Sequence, residues 1–345
     1  MKDLVSIITP CYNGEKFIDQ YFESILAQTY EPLQLIFVND GSEDRTEEIA
    51  LSYRSKLEDK GIEFIYLYQE NGGQAKAMNT GFQYMKGTYF AWPDSDDILT
   101  PDAIEKRAAF LGANPQYSFV RSSGWKFDFD TGERIGSVNF SYYHDPFKED
   151  IFLDLITEYT YCMCGCYMVR TKDFKEIYPD LHIYETNVGQ NWQIMIPVAG
   201  RGKCGYIDEE QYGVAVRNDS HSHKKRSLEE SIERELELKK VLEIGIELSG
   251  RNDLDYKRIV DIKYLHVLFK KYYEADHYEG AKKYYDLLKS EHELSEDESA
   301  LFLSKWHPAK YKAFYAGLAF RHLPEKIKKL TGKREQEGEN HAAGK

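Results

Sequence analysis

The sequence of 345 residues lacks any long apolar run. A helix that crosses a bilayer needs roughly 18 or more consecutive apolar residues, so any contact with a membrane would have to be peripheral. The first residues, Met1-Lys2-Asp3-Leu4, also lack the layout of a signal peptide. We therefore expect a cytoplasmic protein, and attachment to the inner face of the cell membrane remains an open alternative.

Positive charge is also scarce, since 45 Lys and Arg face 58 Asp and Glu and the net charge is −13. A protein that binds nucleic acid needs a positive surface to offset the phosphates. We therefore expect no nucleic-acid partner. The composition, 42% hydrophobic and 30% charged, is that of a globular protein.

Cysteine is rare, with five residues in the chain, and three of them (Cys162, Cys164 and Cys166) alternate within a stretch that we predict to be a strand. In a strand they would lie on one face about 7 Å apart. No further His or Cys pair has the spacing of a structural zinc site. This favours small buried packing residues over metal ligands, and a reducing compartment over a disulfide framework.

Four compact apolar runs alternate with helical stretches in the N-terminal part of the chain, at residues 4–9, 34–38, 63–67 and 88–92. Runs of this kind are typical of buried parallel strands. The alternation predicts an α/β fold, in which an open and mostly parallel sheet is covered by helices on both faces. Ligands of such sheets bind beyond the carboxyl ends of the strands.

The loops after these strands are therefore the place to look for chemistry. No Gly-x-Gly-x-x-Gly follows the first strand, so the dinucleotide-binding fingerprint is missing. Residues 94–97 (Asp-Ser-Asp-Asp) bring three carboxylates into four positions after the fourth strand. A divalent cation that bridges to a phosphate would offset their repulsion. The alternative is an acidic cap on the next helix, and we assign that role to Asp97 rather than a second metal contact.

Five blocks of sequence, in this order and on this pattern of strands and helices, resemble the glycosyltransferase family 2 enzymes of the GT-A fold, of the type that builds bacterial polysaccharides. The resemblance covers about the first 125 residues. The blocks are Val5-Ser6-Ile7-Ile8-Thr9-Pro10-Cys11-Tyr12-Asn13, Gln28-Thr29-Tyr30, residues 38–44, Asn71-Gly72-Gly73 with Asn79, and residues 94–97.

The resemblance implies a site for a uridine-diphosphate sugar. In the family, the carboxylate at the position of Asp40 reads the N3–H of uracil, the first aspartate of the acidic block (Asp94) lies near the ribose, and the second (Asp96) contacts the metal and the diphosphate. A backbone turn is the alternative for Asp40, and a solvated helix face for Lys76 and Asn79. The donor-binding candidates are Thr9, Pro10, Tyr12, Asp40, Gly73, Lys76, Asn79, Asp94 and Ser95.

The general base is where the sequence departs from the family. Family members usually carry Glu-Asp at the position of Gln190-Asn191, and an amide takes no proton at neutral pH. Glu185 or a carboxylate of residues 208–210 could serve instead, or proton removal is late and weakly assisted. The catalytic candidates are Asp96, Glu185, Gln190 and Asn191.

The resemblance also implies Mn²⁺ or Mg²⁺ as cofactor. GT-A enzymes often place a C-terminal His or Arg at the metal and the diphosphate. We therefore name Asp96 and His221 as metal candidates, with Arg217 behind His221. A solvated loop is the alternative for His221.

The composition changes from Ser227 onward, where apolar residues recur at helical spacing. We predict four parts: residues 1–118 and 119–226 as the nucleotide-sugar and acceptor halves of the GT-A domain, 227–331 as a helical domain, and 332–345 as a disordered tail. Residues 305–334 contain nine Lys or Arg against one acid, interleaved with five aromatics. This segment could contact an anionic membrane, or its aromatics could pack onto the preceding helices.

Together these observations predict a metal-dependent, inverting hexosyl- or N-acetylhexosaminyl-transferase. It would move a sugar from a UDP-sugar to a hydroxyl of a lipid-linked or growing bacterial surface polysaccharide. The alternative is a catalytically silent nucleotide-sugar-binding subunit, which the amides Gln190 and Asn191 suggest.

Overall fold

In the computed structural model the described residues are 2–138, 145–217 and 226–321, with side chains described as far as residue 314. Nine strands lie within these residues: β1 Val5–Cys11, β2 Leu33–Asp40, β3 Glu63–Gln69, β4 Tyr89–Ala91, β5 Ile98–Leu99, β6 Tyr117–Asp128, β7 Arg134–Val138, β8 Tyr167–Arg170 and β9 Lys203–Val216. They form one sheet in the order β3-β2-β1-β4-β8-β6-β9-β5, and β7 pairs with β6.

The helices of the same residues are α1 Ile18–Leu26, α2 Thr46–Ser52, α3 Arg54–Asp59, α4 Gln74–Phe82, α5 Ala103–Ala113, α6 Phe152–Ile156, α7 Thr171–Ile177, α8 Gln190–Arg201, α9 Leu228–Ser249, α10 Tyr256–Glu274, α11 Tyr278–Ser290, α12 Glu296–Trp306 and α13 Pro308–Arg321. None of the helices in the described ranges is long and apolar enough to cross a membrane.

The first half of the sheet is parallel, as the apolar runs predict. β1 pairs in parallel with β2 and β4, and β2 pairs in parallel with β3. Every residue of β1, β2 and β4 is buried, because helices cover both faces. The predicted α/β class is confirmed in this half, and the carboxyl ends of these four strands meet at one edge.

The second half of the sheet is mixed. β6 pairs in parallel with β9, whereas β8 is antiparallel to both β4 and β6, and β5 is antiparallel to β9. The long strand β9 therefore returns to the end of the acidic segment, where Leu99 pairs with Tyr212. Strand periodicity in the sequence did not reveal this return.

The predicted strand over the three cysteines is wrong. Cys164–Cys166 form a 3-10 turn, and the strand β8 begins only at Tyr167. A Cβ atom added at Gly165 would lie 1.9 Å from the Tyr212 ring, so the chain turns tightly against that ring. Cys164 and Cys166 are buried, as expected for packing residues.

A buried arginine joins the second half of the sheet to α5. The Arg107 side chain is fully buried, and its guanidinium donates to Gln211 Oε1 (2.9 Å), Gly165 O (2.6 Å) and Ser122 Oγ (3.0 Å). Burial lowers the pKa of Arg107 to about 10, so the group remains charged at neutral pH. These bonds fix the 3-10 turn and β9 relative to each other.

The chain divides into two compact units between Asp261 and Ile262. In the first unit α9 packs on α8, where Gly245 faces Ile196 and Arg201 donates to the carbonyl of Leu248 at 2.9 Å. The predicted start of the helical domain, residue 227, differs from this division after residue 261. The predicted limits at 118, 226 and 331 remain predictions. The predicted tail, 332–345, lies outside the described residues.

The second unit has an aromatic core of its own. Tyr285 stacks on Phe302 with ring centroids 4.3 Å apart, and Trp306 lies 5.1 Å from Phe302. Lys305 donates to the carbonyl of Tyr273 at 2.7 Å. The first residues of the basic segment 305–334 are therefore structural parts of this unit.

Candidate active site

The acidic segment 94–97 lies beyond the carboxyl end of β4, between that strand and β5. Trp92 is buried directly after β4, and β5 is tied to β9. Ser95 is buried and lies beside the Cys11 thiol at the end of β1. The segment is thus fixed at both ends, and its three carboxylates have different surroundings.

Asp97 is a structural acid. It is buried, and it accepts hydrogen bonds from the Tyr212 hydroxyl (2.5 Å) and from the backbone N–H of Ala215 (2.8 Å). Burial, followed by the neighbouring charge of Asp96, raises the pKa of Asp97 well above its usual range. α5 begins at Ala103 after Asp102, so the predicted helix cap at Asp97 is wrong, and its carboxyl binds β9 instead.

Asp94 is held through both carboxylate oxygens. Gln74 Nε2 donates to Oδ1 at 2.8 Å, and the Cys164 thiol donates to Oδ2 at 3.0 Å. The Asp94 backbone N–H donates to the Tyr212 hydroxyl at 3.2 Å, so Tyr212 connects Asp94 to Asp97. Burial and the charge of Asp96 raise the pKa of Asp94 to about 6, against the hydrogen bonds that lower it.

Asp96 is partly exposed, in contrast to the buried Asp97. Its side chain is 26% exposed, and Oδ2 forms an ion pair with Arg217 Nη2 at 2.7 Å. The Arg217 guanidinium also lies over the Phe17 ring, 4.2 Å from its centroid. Arg217, predicted to lie behind His221, therefore reaches the acidic segment, while His221 itself is outside the described residues.

The described residues of this site do not by themselves surround a divalent cation. Within 2–138, 145–217 and 226–321, no group of three or more His, Cys, Asp or Glu side chains is arranged to hold a metal ion. Mg²⁺ in phosphate-binding sites is typically held by one or two carboxylates plus phosphate oxygens and water. The partly exposed carboxylate of Asp96 suits that type of site, in which most of the ligands come from the substrate and solvent.

Asp40, the residue predicted to bind the base of the sugar donor, lies at the end of β2. Its carboxylate is buried and accepts from Gln69 Nε2 (2.7 Å) and from the backbone N–H groups of Gly72 and Gly73 (2.9 Å each). Gly41 has a φ of +74°, so the turn interpretation of this segment also describes it. Asp40 shapes the loop that leads into α4.

The other residues predicted to bind the sugar donor differ in burial and in hydrogen bonding. Thr9 is buried and shares a hydrogen bond with the Tyr21 hydroxyl at 2.5 Å, and Pro10 is buried, whereas Tyr12 is 39% exposed. Lys76 is exposed. Asn79 is buried, and its amide binds both the N–H (2.8 Å) and the carbonyl (2.9 Å) of Ile183, so this residue is not part of a solvated face.

Both amides at the start of α8 form hydrogen bonds with protein groups. Trp92 Nε1 donates to Asn191 Oδ1 at 2.9 Å, and Asn191 Nδ2 donates to the carbonyl of Cys162 at 3.3 Å. Gln190 Nε2 donates to Gln74 Oε1. The first turn of α8 therefore connects to the segment that carries Asp94.

The alternative bases lie on the surface. Glu185 is exposed, and one of its oxygens is 3.8 Å from His182 Nε2. In residues 208–210, Glu209 pairs with Lys106 and Glu210 with Arg134. Glu185 lies in the segment that runs along α4 between the contact with Asn79 and Gln190.

Sequence reasoning missed three residues of this site: Gln74, Cys164 and Tyr212. The alternating cysteines indicated burial, but no pattern showed that Cys164 faces Asp94. Gln74 and Tyr212 lie 20 and more than 100 positions from the aspartates they bind, and only the tertiary fold brings them there.

The sequence profile described as Glycosyl transferase family 2 matches residues 6–178, half of the chain. The chain therefore belongs to this family. It is 48% identical over 108 residues to the uncharacterized glycosyltransferase RP339 of Rickettsia prowazekii (strain Madrid E), an alignment that covers 31% of this chain and 32% of the relative. The chain thus matches about a third of the length of that relative.

Two solved structures share the fold. S. aureus TarS 1-349 in complex with UDP matches with a TM-score of 0.55 and 21% identity, over 79% of this chain and 72% of the other. Mannosyltransferase PcManGT from Pyrobaculum calidifontis, in complex with GDP-Man and Mn²⁺, matches with a TM-score of 0.53 and 18% identity, over 92% and 83%. The predicted GT-A fold with its helical C-terminal region is confirmed.

Proposed function

We propose that this protein transfers a hexosyl or N-acetylhexosaminyl group from a UDP-sugar to a hydroxyl of a lipid-linked or growing bacterial surface polysaccharide, with inversion. The main support is the position of Asp96, which is accessible at the carboxyl end of β4 beside the fixed carboxylate of Asp94. Family membership and a nucleotide-bound structural neighbour add to it.

Asp96 would hold Mn²⁺ or Mg²⁺, which supplies positive charge to the leaving diphosphate when bound. Arg217 places a guanidinium at the same carboxylate, where it can bind the diphosphate and limit its repulsion from Asp94. Asp94 faces the ribose in this proposal. His221 remains a proposed second metal contact.

Asp40 is the proposed reader of uracil. Its Oδ2 accepts one N–H from Gly73 and has a second lone pair for the N3–H of the base, which cytosine does not offer. Tyr12 and Pro10 would line the base pocket. Gly73, Lys76 and Asn79 would shape or contact the donor from α4.

A panel of nucleotide sugars with Mn²⁺ tests the function. We expect UDP-sugars to raise the melting temperature and to be hydrolysed slowly or transferred, and GDP- and CDP-sugars to do neither. A ligand at 100 times its Kd stabilises the fold by roughly 2.7 kcal/mol. Binding without any turnover would favour the silent subunit, and a preference for GDP would move base recognition away from Asp40.

The proposed base is Glu185, because the amides of Gln190 and Asn191 cannot take a proton. Glu185→Gln should lower kcat by roughly 10²-fold and leave the Kd for UDP unchanged. Asn191→Asp should not raise kcat, since a carboxylate there would face the carbonyl of Cys162. Steady-state kinetics and calorimetry would check both.

Glu58→Gln is the control for Glu185→Gln, since Glu58 is an exposed acid on α3. An increase of kcat in Asn191→Asp would place the base at the family position after all. Unchanged kcat in Glu185→Gln would remove Glu185 from the chemistry.

Peripheral membrane contact through residues 305–334 is a further part of the proposal. Five of the nine basic residues of this segment follow Arg321, and each basic residue near an anionic surface contributes about 1 kcal/mol. We expect a chain that ends at Arg321 to leave phosphatidylserine vesicles at about 0.15 M salt, without a change in donor hydrolysis. Co-sedimentation with the vesicles measures the fraction of protein that is bound.

Removal of residues 335–345 alone is the control, since that deletion spares the whole basic segment. Vesicle binding that both deletions leave intact, or that the full chain lacks, would contradict membrane contact. An end after Ser304 is less suitable, because it would remove Trp306 from the aromatic core of the second unit.

A further inference from the structure

Four side chains form a continuous row of hydrogen bonds between the start of α8 and the 3-10 turn. Gln190 donates to Gln74, Gln74 donates to Asp94 Oδ1, and Cys164 donates to Asp94 Oδ2. We propose that Gln74 is a positioning residue, which couples the start of α8 to the orientation of Asp94. We further propose that residue 190 is an amide because it has to donate to Gln74.

The direction of the row follows from chemistry. An ionised carboxylate only accepts hydrogen bonds, so Gln74 must present its NH₂ group to Asp94 and its oxygen to residue 190. Residue 190 must then donate. A glutamate at 190, which the family usually carries, would place acceptor against acceptor in this part-buried contact, and the lost hydrogen bond would lower stability.

The position of Gln74 is set by the donor loop. Gln74 is the first residue of α4, directly after Gly73, whose φ is +86° and whose N–H binds Asp40. Gln74 therefore lies between Asp40, the proposed contact to uracil, and Asp94, the proposed contact to the ribose. A shift of this loop would move both contacts together.

The start of α8 contacts the acidic segment at two points. Asn191 accepts from the Trp92 indole at 2.9 Å, and Gln190 reaches Asp94 through Gln74. Both amides of the pair are thus explained by their partners. Any effect of this coupling on catalysis rests on the proposed function, whereas the coupling itself does not.

A double-mutant cycle in urea unfolding tests the coupling without any substrate. Gln190→Glu should lower the unfolding midpoint in the wild-type background. In the background Asp94→Asn, the new amide at position 94 can donate to the oxygen of Gln74, and Gln74 can then donate to a glutamate at position 190. The decrease in the unfolding midpoint caused by Gln190→Glu should therefore disappear or reverse in the Asp94→Asn background.

Gln116→Glu is the matched control, because it makes the same chemical change at an exposed position. Gln116→Glu should change the urea unfolding midpoint by the same amount in the wild-type and in the Asp94→Asn background. An equal loss for Gln190→Glu in both backgrounds would overturn the proposal, since it would show that residue 190 does not sense the donor or acceptor character of residue 94.

Gln74→Leu provides the functional readout. This variant removes the N–H group that holds Asp94 Oδ1, so Asp94 should bind the UDP-sugar more weakly. We expect at least a tenfold increase in KM for the UDP-sugar and no change in KM for the sugar acceptor. Gln74→Glu should behave like Gln74→Leu or worse. Unchanged donor KM in Gln74→Leu would refute a positioning role, and absence of turnover in the wild type would instead refute the proposed function.

Discussion

Asp96→Ala is expected to lower sugar transfer by roughly 10²- to 10³-fold, the usual effect of removing a group that stabilises developing charge. The reason is that, in the proposed function, Asp96 holds the cation that supplies positive charge to the leaving diphosphate. The fold should persist, because Asp94 and Asp97 keep their own partners and lose a repelling neighbour. Transfer rate at saturating Mn²⁺ measures the effect.

Asp130→Ala is the control, since Asp130 is an exposed aspartate in the turn between β6 and β7. It should retain the wild-type rate. Asp96→Ala also removes the ion pair with Arg217, so a urea unfolding curve should accompany the kinetics. Retention of more than a tenth of the wild-type rate by Asp96→Ala would show that the cation, or the chemistry, lies elsewhere.

Arg107→Ala is expected to destabilise the protein by roughly 3–5 kcal/mol, as large-to-small changes in a core do. It leaves the oxygens of Gln211, Gly165 and Ser122 without their donor. Each unsatisfied buried group costs about 1–3 kcal/mol before the structure relaxes. Urea denaturation at neutral pH measures the loss of unfolding free energy.

Arg134→Ala offers a comparison at a second arginine that binds β9. Arg134 forms an exposed ion pair with Glu210 at 2.6 Å, and such pairs contribute about 0–1 kcal/mol. Comparison of the two variants therefore separates the effect of losing a buried side chain from the effect of losing a positive charge. A loss of less than about 1 kcal/mol in Arg107→Ala would mean that water or a rearranged side chain satisfies the three oxygens.

The sequence predicted the parts of the site that depend on local order along the chain. Apolar runs located β1 to β4, and the loops after them located Asp40 and the acidic segment. The parallel half of the sheet follows from that pattern because its central strands are buried on both faces. The three carboxylates could be predicted as a group, but not the structural role that each has in the fold.

Those roles depend on partners that are distant in sequence. Tyr212 of β9 makes Asp97 structural, and Cys164 with Gln74 fixes Asp94. β9 joins β6 in parallel but β5 in antiparallel orientation, and no periodicity within β9 indicates either partner. Asp97 was therefore predicted as a helix cap from its neighbours in the chain, while its contacts lie over 100 residues away.

The amides at 190 and 191 illustrate the opposite case. The departure from the family was visible in the sequence, and it suggested a loss of catalysis. The structure provides a local reason for both amides, since Trp92 requires an acceptor at Asn191 while Cys162 and Gln74 require donors. A change of residue type at a family position can thus reflect a different hydrogen-bond network.

The contact between Gly165 and the Tyr212 ring has a consequence for how this protein can vary among species. A Cβ atom at residue 165 would lie 1.9 Å from the ring, so substitution there is excluded for lack of space. Selection should therefore keep that glycine for as long as residue 212 carries a ring at this place. Residues 165 and 212 should therefore vary together among relatives. A larger residue at 165 is expected only where residue 212 is smaller than tyrosine.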